Sequence, residues 1–214
     1  PVEFLVNTHW HGDHTGGNEN FGATGTHIVA HENVRKRLIE GQSGEREVAP
    51  APEAALPVIT FSDEVDFYWN GHDIAVRHVA PAHTDGDSVI FVDGAAVVHM
   101  GDTFFNGFYP FVDVESGGDL DGYIAAQEMV LAEINDDTII IPGHGPLSNK
   151  AELQATNDML KSVRAAIQAT IDAGMSEDEA VAADPLAATN EQWGKGFINP
   201  ERMVRLGYRS LTQD

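Results

Sequence analysis

Three histidines and one aspartate lie within six positions near the start of the chain, in the stretch HWHGDHTGG. His9 and His11 directly follow a predicted strand, and Gly12 lets the backbone turn before Asp13 and His14. A loop at a strand end can direct several side chains at one centre, which a regular helix or strand could not do at this spacing. Imidazole and carboxylate ligands suit zinc and neighbouring metals. The stretch therefore predicts a metal site.

Further candidate ligands follow three later predicted strands. They are His83 in APAHTDGDS, Asp102 in HMGDTFF and His144 in IIIPGHGP, after strands predicted to end at Val79, Met100 and Ile141. Gly or Pro lies within two positions of each of them, and these residues stop a strand and fix the direction of its last side chain. With the first four, the chain offers seven ligands, enough for two metal ions with room for water, as a catalytic site requires.

Composition narrows the classes of protein and partner. The 214 residues include no Cys, so disulfides and thiolate ligands are excluded. Lys and Arg number 12 against 34 Asp and Glu, a formal charge of −22, and a field of that sign repels nucleic acid. No stretch reaches the run of about 20 apolar residues that a membrane helix needs. We expect a soluble globular protein that acts on a small molecule, with neither nucleic acid nor membrane as partner.

Apolar periodicity and turn residues predict an α+β protein. Strands are predicted over 2–7, 65–69, 73–79, 88–92, 96–100 and 138–141, with helices over 119–134 and from Lys150 onward. Asn70-Gly71 and Asp93-Gly94 are hairpin turn signals. Strands in hairpins, with helices before, between and after them, favour two sheets with helices outside, an αββα sandwich.

The motifs HWHGDH, PAHTDGD, GDT and PGHG, in this order, resemble those of the metallo-β-lactamase superfamily. The resemblance runs over residues 1–148 and lacks the strands that usually precede the first motif. It implies an N-terminally incomplete metallo-β-lactamase-fold domain over 1–148, with residues 149–214 as a C-terminal helical segment packing on it. It also implies two Zn²⁺ ions per chain, one on His9, His11 and His83, the other on Asp13, His14 and His144, with Asp102 bridging or completing the second site.

The resemblance further implies a zinc-dependent hydrolase. Two zinc ions lower the pKa of a shared water toward neutrality, and the resulting hydroxide attacks a carbonyl carbon. Asp13 is the candidate catalytic residue, because it holds the second zinc, orients the water and passes its proton on. The chain needs no protein nucleophile for this reaction.

The segment TFFNGFYPF, residues 103–111, follows Asp102 and is rich in aromatic residues. One interpretation is an apolar wall for a substrate, and the other is a core-packing loop. The interpretation as a substrate wall predicts five residues in contact with substrate: Phe104, Phe105, Asn106, Phe108 and Tyr109. Trp10, between two ligands, is expected to pack beneath the site.

Three functions remain open. The first is opening of cyclic amides or esters with weak to moderate β-lactamase activity, although Asp102 stands where many β-lactamases of this fold have Cys, and Phe105 where a Lys would hold the β-lactam carboxylate. The second is a glyoxalase-II-like thioesterase, which would need a basic pocket. Cations at Lys161, Arg164, Lys195, Arg202, Arg205 and Arg209 form no obvious clamp by spacing. The third is a non-catalytic metal-binding domain, which would have a closed metal shell.

The strand at 2–7 would be an unpaired sheet edge if the opening strands are missing. An unpaired edge tends to pair with another chain. We therefore expect either a longer native chain or a homo-oligomer that pairs through this edge.

Overall fold

The computed structural model describes residues 1–44, 47–93 and 96–213. The chain divides into two compact units. One comprises Pro1–Val79 and Gly86–Ala95, and the other comprises Ala80–Asp85 and Ala96–Asp214. Both units contain strands and helices. Within the described residues, no helix is both long and apolar enough to cross a lipid bilayer.

The first unit carries two groups of strands. Its strands are β1 (Phe4–Val6), β2 (His27–His31), β3 (Ile59–Phe61), β4 (Glu64–Trp69), β5 (His72–His78) and β6 (Ser88–Val92), and its helices are α1 (Gly12–Thr15), α2 (Asn18–Gly22) and α3 (Glu32–Glu40). β1, β2 and β3 pair in parallel. β4, β5 and β6 pair antiparallel.

Apolar side chains of both groups share one core. Val29 of β2, Phe61 of β3 and Val76 of β5 form a buried cluster. Partly buried apolar side chains from β1, β4, β5 and β6 pack against it. Burial of this shared layer holds the two groups of strands together, because each fully buried Val or Phe side chain contributes roughly 1.5–3 kcal/mol.

The turn between β4 and β5 confirms one hairpin prediction. Asn70 and Gly71 both have positive φ, at 52° and 80°, as a two-residue turn that matches the strand twist requires. Gly tolerates this conformation without a steric cost, and Asn tolerates it better than most residues. The second hairpin signal, Asp93-Gly94, includes Gly94, which lies outside the described residues.

The second unit joins a parallel strand pair to helices. Its strands are β7 (Val97–Phe105) and β8 (Ile139–His144), and its helices are α4 (Leu120–Glu133), α5 (Lys150–Asp172), α6 (Glu177–Ala182), α7 (Ala187–Trp193) and α8 (Pro200–Thr212). Asp119, Asn149, Ser176 and Asn199 cap the N-termini of α4, α5, α6 and α8 through their side chains. The helices predicted over 119–134 and after Lys150 are thus confirmed.

Both strands of this unit run further than the sequence predicts. β7 continues past Met100 through Asp102 to Phe105, and β8 continues past Ile141 to His144. Asp102 and His144 therefore lie within strands, and their predicted position just beyond strand ends is wrong. The extension comes with shifts in the β7–β8 register, which hydrophobic periodicity does not reveal.

Helix α8 packs closely on α5. A Cβ at Gly207 would lie 2.5 Å from Cδ1 of Ile167 and 3.5 Å from Cδ2 of Leu120. The absence of a side chain at Gly207 thus allows α8 to approach α4 and α5. Leu153, Leu160, Val163 and Ile167 supply the buried stripe of α5 that faces this core.

Candidate metal centre

The first ligand group lies on the turn from β1 into α1. His11 is in extended conformation and caps α1, so its side chain and that of His9 leave the backbone before the helix begins. The ring centroid of His9 lies 5.0 Å from that of His11 and 4.2 Å from that of His14. Asp13 Oδ2 lies 3.4 Å from His14 Nε2. The turn and the first residues of α1 thus bring these four side chains close together.

Hydrogen bonds fix both ends of this ligand loop. Asn7 and Asn18, on either side of it, exchange side-chain amide hydrogen bonds of 2.9 and 3.0 Å. Thr15 Oγ1 donates to the carbonyl oxygens of Trp10 and His11. Asn7 and Asn18 are both buried, so their exchange is shielded from water. Sequence reasoning missed this pair, because Asn in a loop is more often an ordinary turn residue.

Trp10 packs where the sequence predicts. Its side chain is buried in a cluster with Ala30, Val34 and Leu38. The residue between His9 and His11 therefore anchors the loop on α3 and β2, and its ring lies 5.4 Å from that of His11.

The second ligand group is the Asp102 triad, which consists of His83, Asp102 and His144. Asp102 Oδ2 lies 3.3 Å from Nε2 of His83 and 3.3 Å from Nε2 of His144. His83 and Asp102 are buried, whereas the side chain of His144 is 40% exposed. One carboxylate oxygen thus faces two imidazole nitrogens, an arrangement in which a carboxylate can contact metal ions held by both rings.

The tautomer of His83 is set by a backbone carbonyl. Its Nδ1 lies 2.6 Å from the carbonyl oxygen of Phe111, which can only accept, so Nδ1 carries the proton. Nε2, the other ring nitrogen, faces Asp102 at 3.3 Å. Metal-ligating histidines commonly donate their other ring N–H to a carbonyl in this way.

Gly143 leaves the space that the Asp102 carboxylate occupies. A Cβ at this position would overlap Asp102 Oδ1 and press on the backbone of Gly101. Imidazole and carboxylate groups, the functional groups of the two ligand groups, are donors that zinc accepts.

The residues predicted to contact substrate are mostly enclosed. Phe104 and Tyr109 are fully buried, Phe105 and Asn106 nearly so, and Phe108 is partly exposed. The Phe105 ring lies 4.8 Å from the His144 ring and 6.2 Å from the His83 ring, so it packs directly on the Asp102 triad. Asn106 Nδ2 donates to the carbonyl oxygen of Pro146 and to Glu152.

Tyr109 connects its loop to α7. Its hydroxyl bonds to Thr189 Oγ1 at 2.6 Å and to Asn190 Oδ1 at 3.0 Å. Burial raises the pKa of the Tyr109 hydroxyl above its usual value, although the bond to Thr189 opposes this shift. The phenol is therefore neutral near pH 7. Substrate contact by residues of this segment stays a prediction.

Arg202 of α8 lies over two aromatic rings. Its guanidinium carbon is 5.2 Å from the centroid of Phe111 and 4.7 Å from that of Phe197. The ring of Phe111 lies 5.6 Å from that of His83. Arg164, Arg205 and Arg209 form ion pairs with carboxylates, whereas no ion pair involves Arg202 within the described part of the chain.

Comparison with known proteins places the chain in a family. The model of the metallo-beta-lactamase superfamily matches residues 1–144. A hydroxyacylglutathione hydrolase of Polaromonas sp. is 30% identical over 150 residues, which cover 68% of this chain and 49% of that protein. The hydroxyacylglutathione hydrolase GloC of Haemophilus influenzae is 29% identical over 168 residues, covering 75% of this chain and 77% of that protein. This chain thus spans about half the length of the Polaromonas relative.

A solved structure agrees with this assignment. A metallo-beta-lactamase from Pontibacter korlensis superposes with a TM-score of 0.60 at 22% identity, covering 75% of this chain and 70% of that one. The fold of this chain and its clustered His and Asp residues are typical of metal-binding hydrolases. Within this class, the chain belongs to the metallo-β-lactamase superfamily, whose members bind metal ions, usually zinc. The predicted α+β metallo-β-lactamase fold and the sequence resemblance are confirmed.

Replacement of Gly143 by Ala is expected to disturb the Asp102 carboxylate. The added methyl group has no room beside Asp102 Oδ1, so we expect a loss of roughly 1–3 kcal/mol in the free energy of unfolding, together with weaker zinc binding. Gly17→Ala is the matched control, because a Cβ there meets only side-chain atoms of Phe21, at 3.6 and 3.7 Å. The melting temperature and the zinc content of both variants are measured. Equal melting temperatures and equal zinc contents in the two variants would contradict the role of Gly143 in leaving space for the Asp102 carboxylate.

Proposed function

We propose that the protein is a dinuclear metal-dependent hydrolase of thioesters whose thiol carrier is anionic. The observation that carries the metal-dependent part is the placement of one Asp102 oxygen 3.3 Å from both His83 and His144. The curated relatives, both hydroxyacylglutathione hydrolases, favour a thioester among the carbonyl substrates.

In this proposal, His9, His11, His83 and Asp102 hold one metal ion, and Asp13, His14 and His144 hold the other. Asp102 contacts both ions. The grouping rests on the ring contacts within the ligand loop, the position of Asp102 between two imidazoles and the order of the family motifs. Zinc is the proposed metal, because neutral imidazole with carboxylate is a typical zinc donor set.

Metal ions bound there would polarise a carbonyl and make hydroxide available near neutral pH. The protein's own groups orient the ligands and limit their contact with water. The bond from His83 Nδ1 to the Phe111 carbonyl keeps Nε2 available as a ligand. The buried Phe105 ring packs on His83 and His144, and His83 and Asp102 are themselves buried, which strengthens electrostatic interactions between these two side chains.

Asp13 is the proposed proton carrier. It is the most exposed carboxylate of the ligand set, with a side chain 55% exposed against 3% for Asp102. The proton lost by the attacking water would be held at Asp13 Oδ2 and passed to the leaving sulfur, which departs as a thiol. Asp102 is too enclosed to exchange a proton with solvent as readily.

Thioester and β-lactam substrates are separated by assaying S-lactoylglutathione and nitrocefin side by side with the zinc-loaded protein. We expect kcat/KM for the thioester to exceed that for nitrocefin by about two orders of magnitude, or about 2.7 kcal/mol in transition-state stabilisation. Opening of the β-lactam is the second candidate, since the superfamily match alone permits it. The reverse preference would replace the thioester proposal by the lactamase one.

Arg202 is the proposed contact for a carboxylate of the carrier. A guanidinium held over aromatic rings near His83 can bind a carboxylate. We expect Arg202→Ala to raise KM for S-lactoylglutathione about tenfold with little change in kcat, since it removes binding shared by ground and transition states. KM for an uncharged thioester should not change.

Arg164→Ala is the control for Arg202, because it removes the same charge from an exposed arginine that pairs with Asp121. Both variants are compared by steady-state kinetics on the two thioesters. An equal KM in the two variants would reject Arg202 as a carboxylate contact and leave the thioester proposal standing.

A further inference from the structure

We infer that Tyr123 and Gln127 of α4 are positioning residues that hold the Asp102 segment of β7 in the orientation needed for metal binding. The inference rests on the proposed function, because it takes Asp102 as a metal ligand. Both residues act through the backbone of β7, and neither belongs to the ligand set.

The Asp102 segment departs from regular strand pairing. Gly101 of β7 is in register with Pro142 of β8, and the next registered pair is Phe105 with His144. Three residues of β7 therefore lie opposite the single residue Gly143. The backbone of Asp102, Thr103 and Phe104 is outside the regular β7–β8 ladder, as in a β-bulge.

Helix α4 provides donors for this segment. The Tyr123 hydroxyl donates to the carbonyl oxygen of Asp102 at 2.5 Å. The Gln127 Nε2 group donates to the carbonyl oxygen of Thr103 at 3.0 Å. Tyr123 and Gln127 are one helical turn apart, so they lie on the same face of α4. Two successive carbonyls of β7 are thus fixed by one helix face.

These bonds act where solvent does not compete. Tyr123 and Gln127 are fully buried, and Asp102 and Thr103 are nearly so. Gly101, at the start of this segment, has a φ of 51°, a left-handed conformation that glycine adopts without a steric cost. A hydrogen bond to the Asp102 carbonyl limits rotation of this peptide, and such rotation would move the carboxylate away from His83 and His144. The two donors therefore preserve the geometry of the Asp102 triad.

The test is metal binding by Tyr123→Phe, which removes the hydroxyl and keeps the ring. Metal-free protein is titrated with Zn²⁺ against a chromophoric chelator, and unfolding is measured on the metal-free and zinc-loaded forms. We expect affinity for at least one zinc ion to fall about 10- to 100-fold, as for other groups that orient metal ligands. The increase in melting temperature caused by zinc should fall with it.

Tyr208→Phe is the matched control. Its hydroxyl also donates to a backbone carbonyl, that of Met175, at 2.7 Å. We expect its melting temperature to fall equally with and without zinc and its zinc affinity to stay at the wild-type value. A purely structural role of Tyr123 would give the same pattern.

The outcomes separate this inference from the proposed function. If the wild-type chain binds no zinc, the proposed function fails. If the wild type binds zinc and Tyr123→Phe binds it equally well, the positioning role alone is overturned. If Tyr123→Phe does not fold, Gln127→Leu decides by the same titration: weaker zinc binding supports the inference, and wild-type affinity overturns it.

Discussion

Replacement of Asp102 by Asn is expected to lower kcat/KM for S-lactoylglutathione about a thousandfold, or about 4 kcal/mol in transition-state stabilisation. The substitution keeps the shape of the side chain and removes its charge. A single oxygen of Asp102 faces Nε2 of both His83 and His144 at 3.3 Å. The amide would leave two adjacent cations without their shared anionic ligand, in a buried setting where charge is poorly screened.

The measurement combines kinetics with metal analysis. Asp136→Asn is the control, because it makes the same chemical change in an exposed turn between α4 and β8. We expect Asp102→Asn to retain less than a full complement of zinc after dialysis, while Asp136→Asn is unchanged. A variant at position 102 that keeps full zinc content and at least a third of the wild-type activity would remove Asp102 from the ligand set.

Removal of the metal is also expected to lower the rate of thioester hydrolysis strongly. Dialysis against a chelator should abolish thioester hydrolysis, because every polar group assigned to the reaction either holds a metal ion or acts beside one. The sequence has no Cys, and we identify no serine nucleophile that could sustain an alternative route. Addition of zinc should restore activity to near its starting value.

Two controls make this experiment decisive. Circular dichroism of the metal-free protein establishes that the fold persists, so that loss of activity is not loss of structure. Reconstitution with Mn²⁺ and Fe²⁺ alongside Zn²⁺ identifies which metal supports the reaction. Full activity in protein shown to hold less than about 0.05 metal ions per chain would contradict metal dependence.

Local patterns in the sequence predict much of the fold. The Asn70-Gly71 turn needs positive φ at both positions, and the dipeptide Asn-Gly is a typical sequence for such a turn. Helix α4 follows from the spacing of its apolar residues and begins within one residue of its predicted start. The family resemblance follows from motif order, and the superfamily match confirms it.

Features that depend on long-range polar contacts are not visible in the sequence. Tyr123 fits the apolar stripe of α4, and nothing in the local pattern shows that its hydroxyl reaches Asp102. The local sequence also does not show that β7 extends through a bulge, because its register with β8 depends on residues about 40 positions away. Similarly, the sequence does not show whether Phe104 and Tyr109 contact substrate or pack in the core. The structure shows that both are completely buried.

Anomalous scattering from zinc-soaked crystals would locate the metal ions of the proposed dinuclear centre. We expect two peaks about 3.5–4 Å apart. One should contact His9, His11 and His83, the other Asp13, His14 and His144, with the Asp102 carboxylate against both. A single peak, or peaks bound by other residues of the chain, would contradict the proposed dinuclear centre.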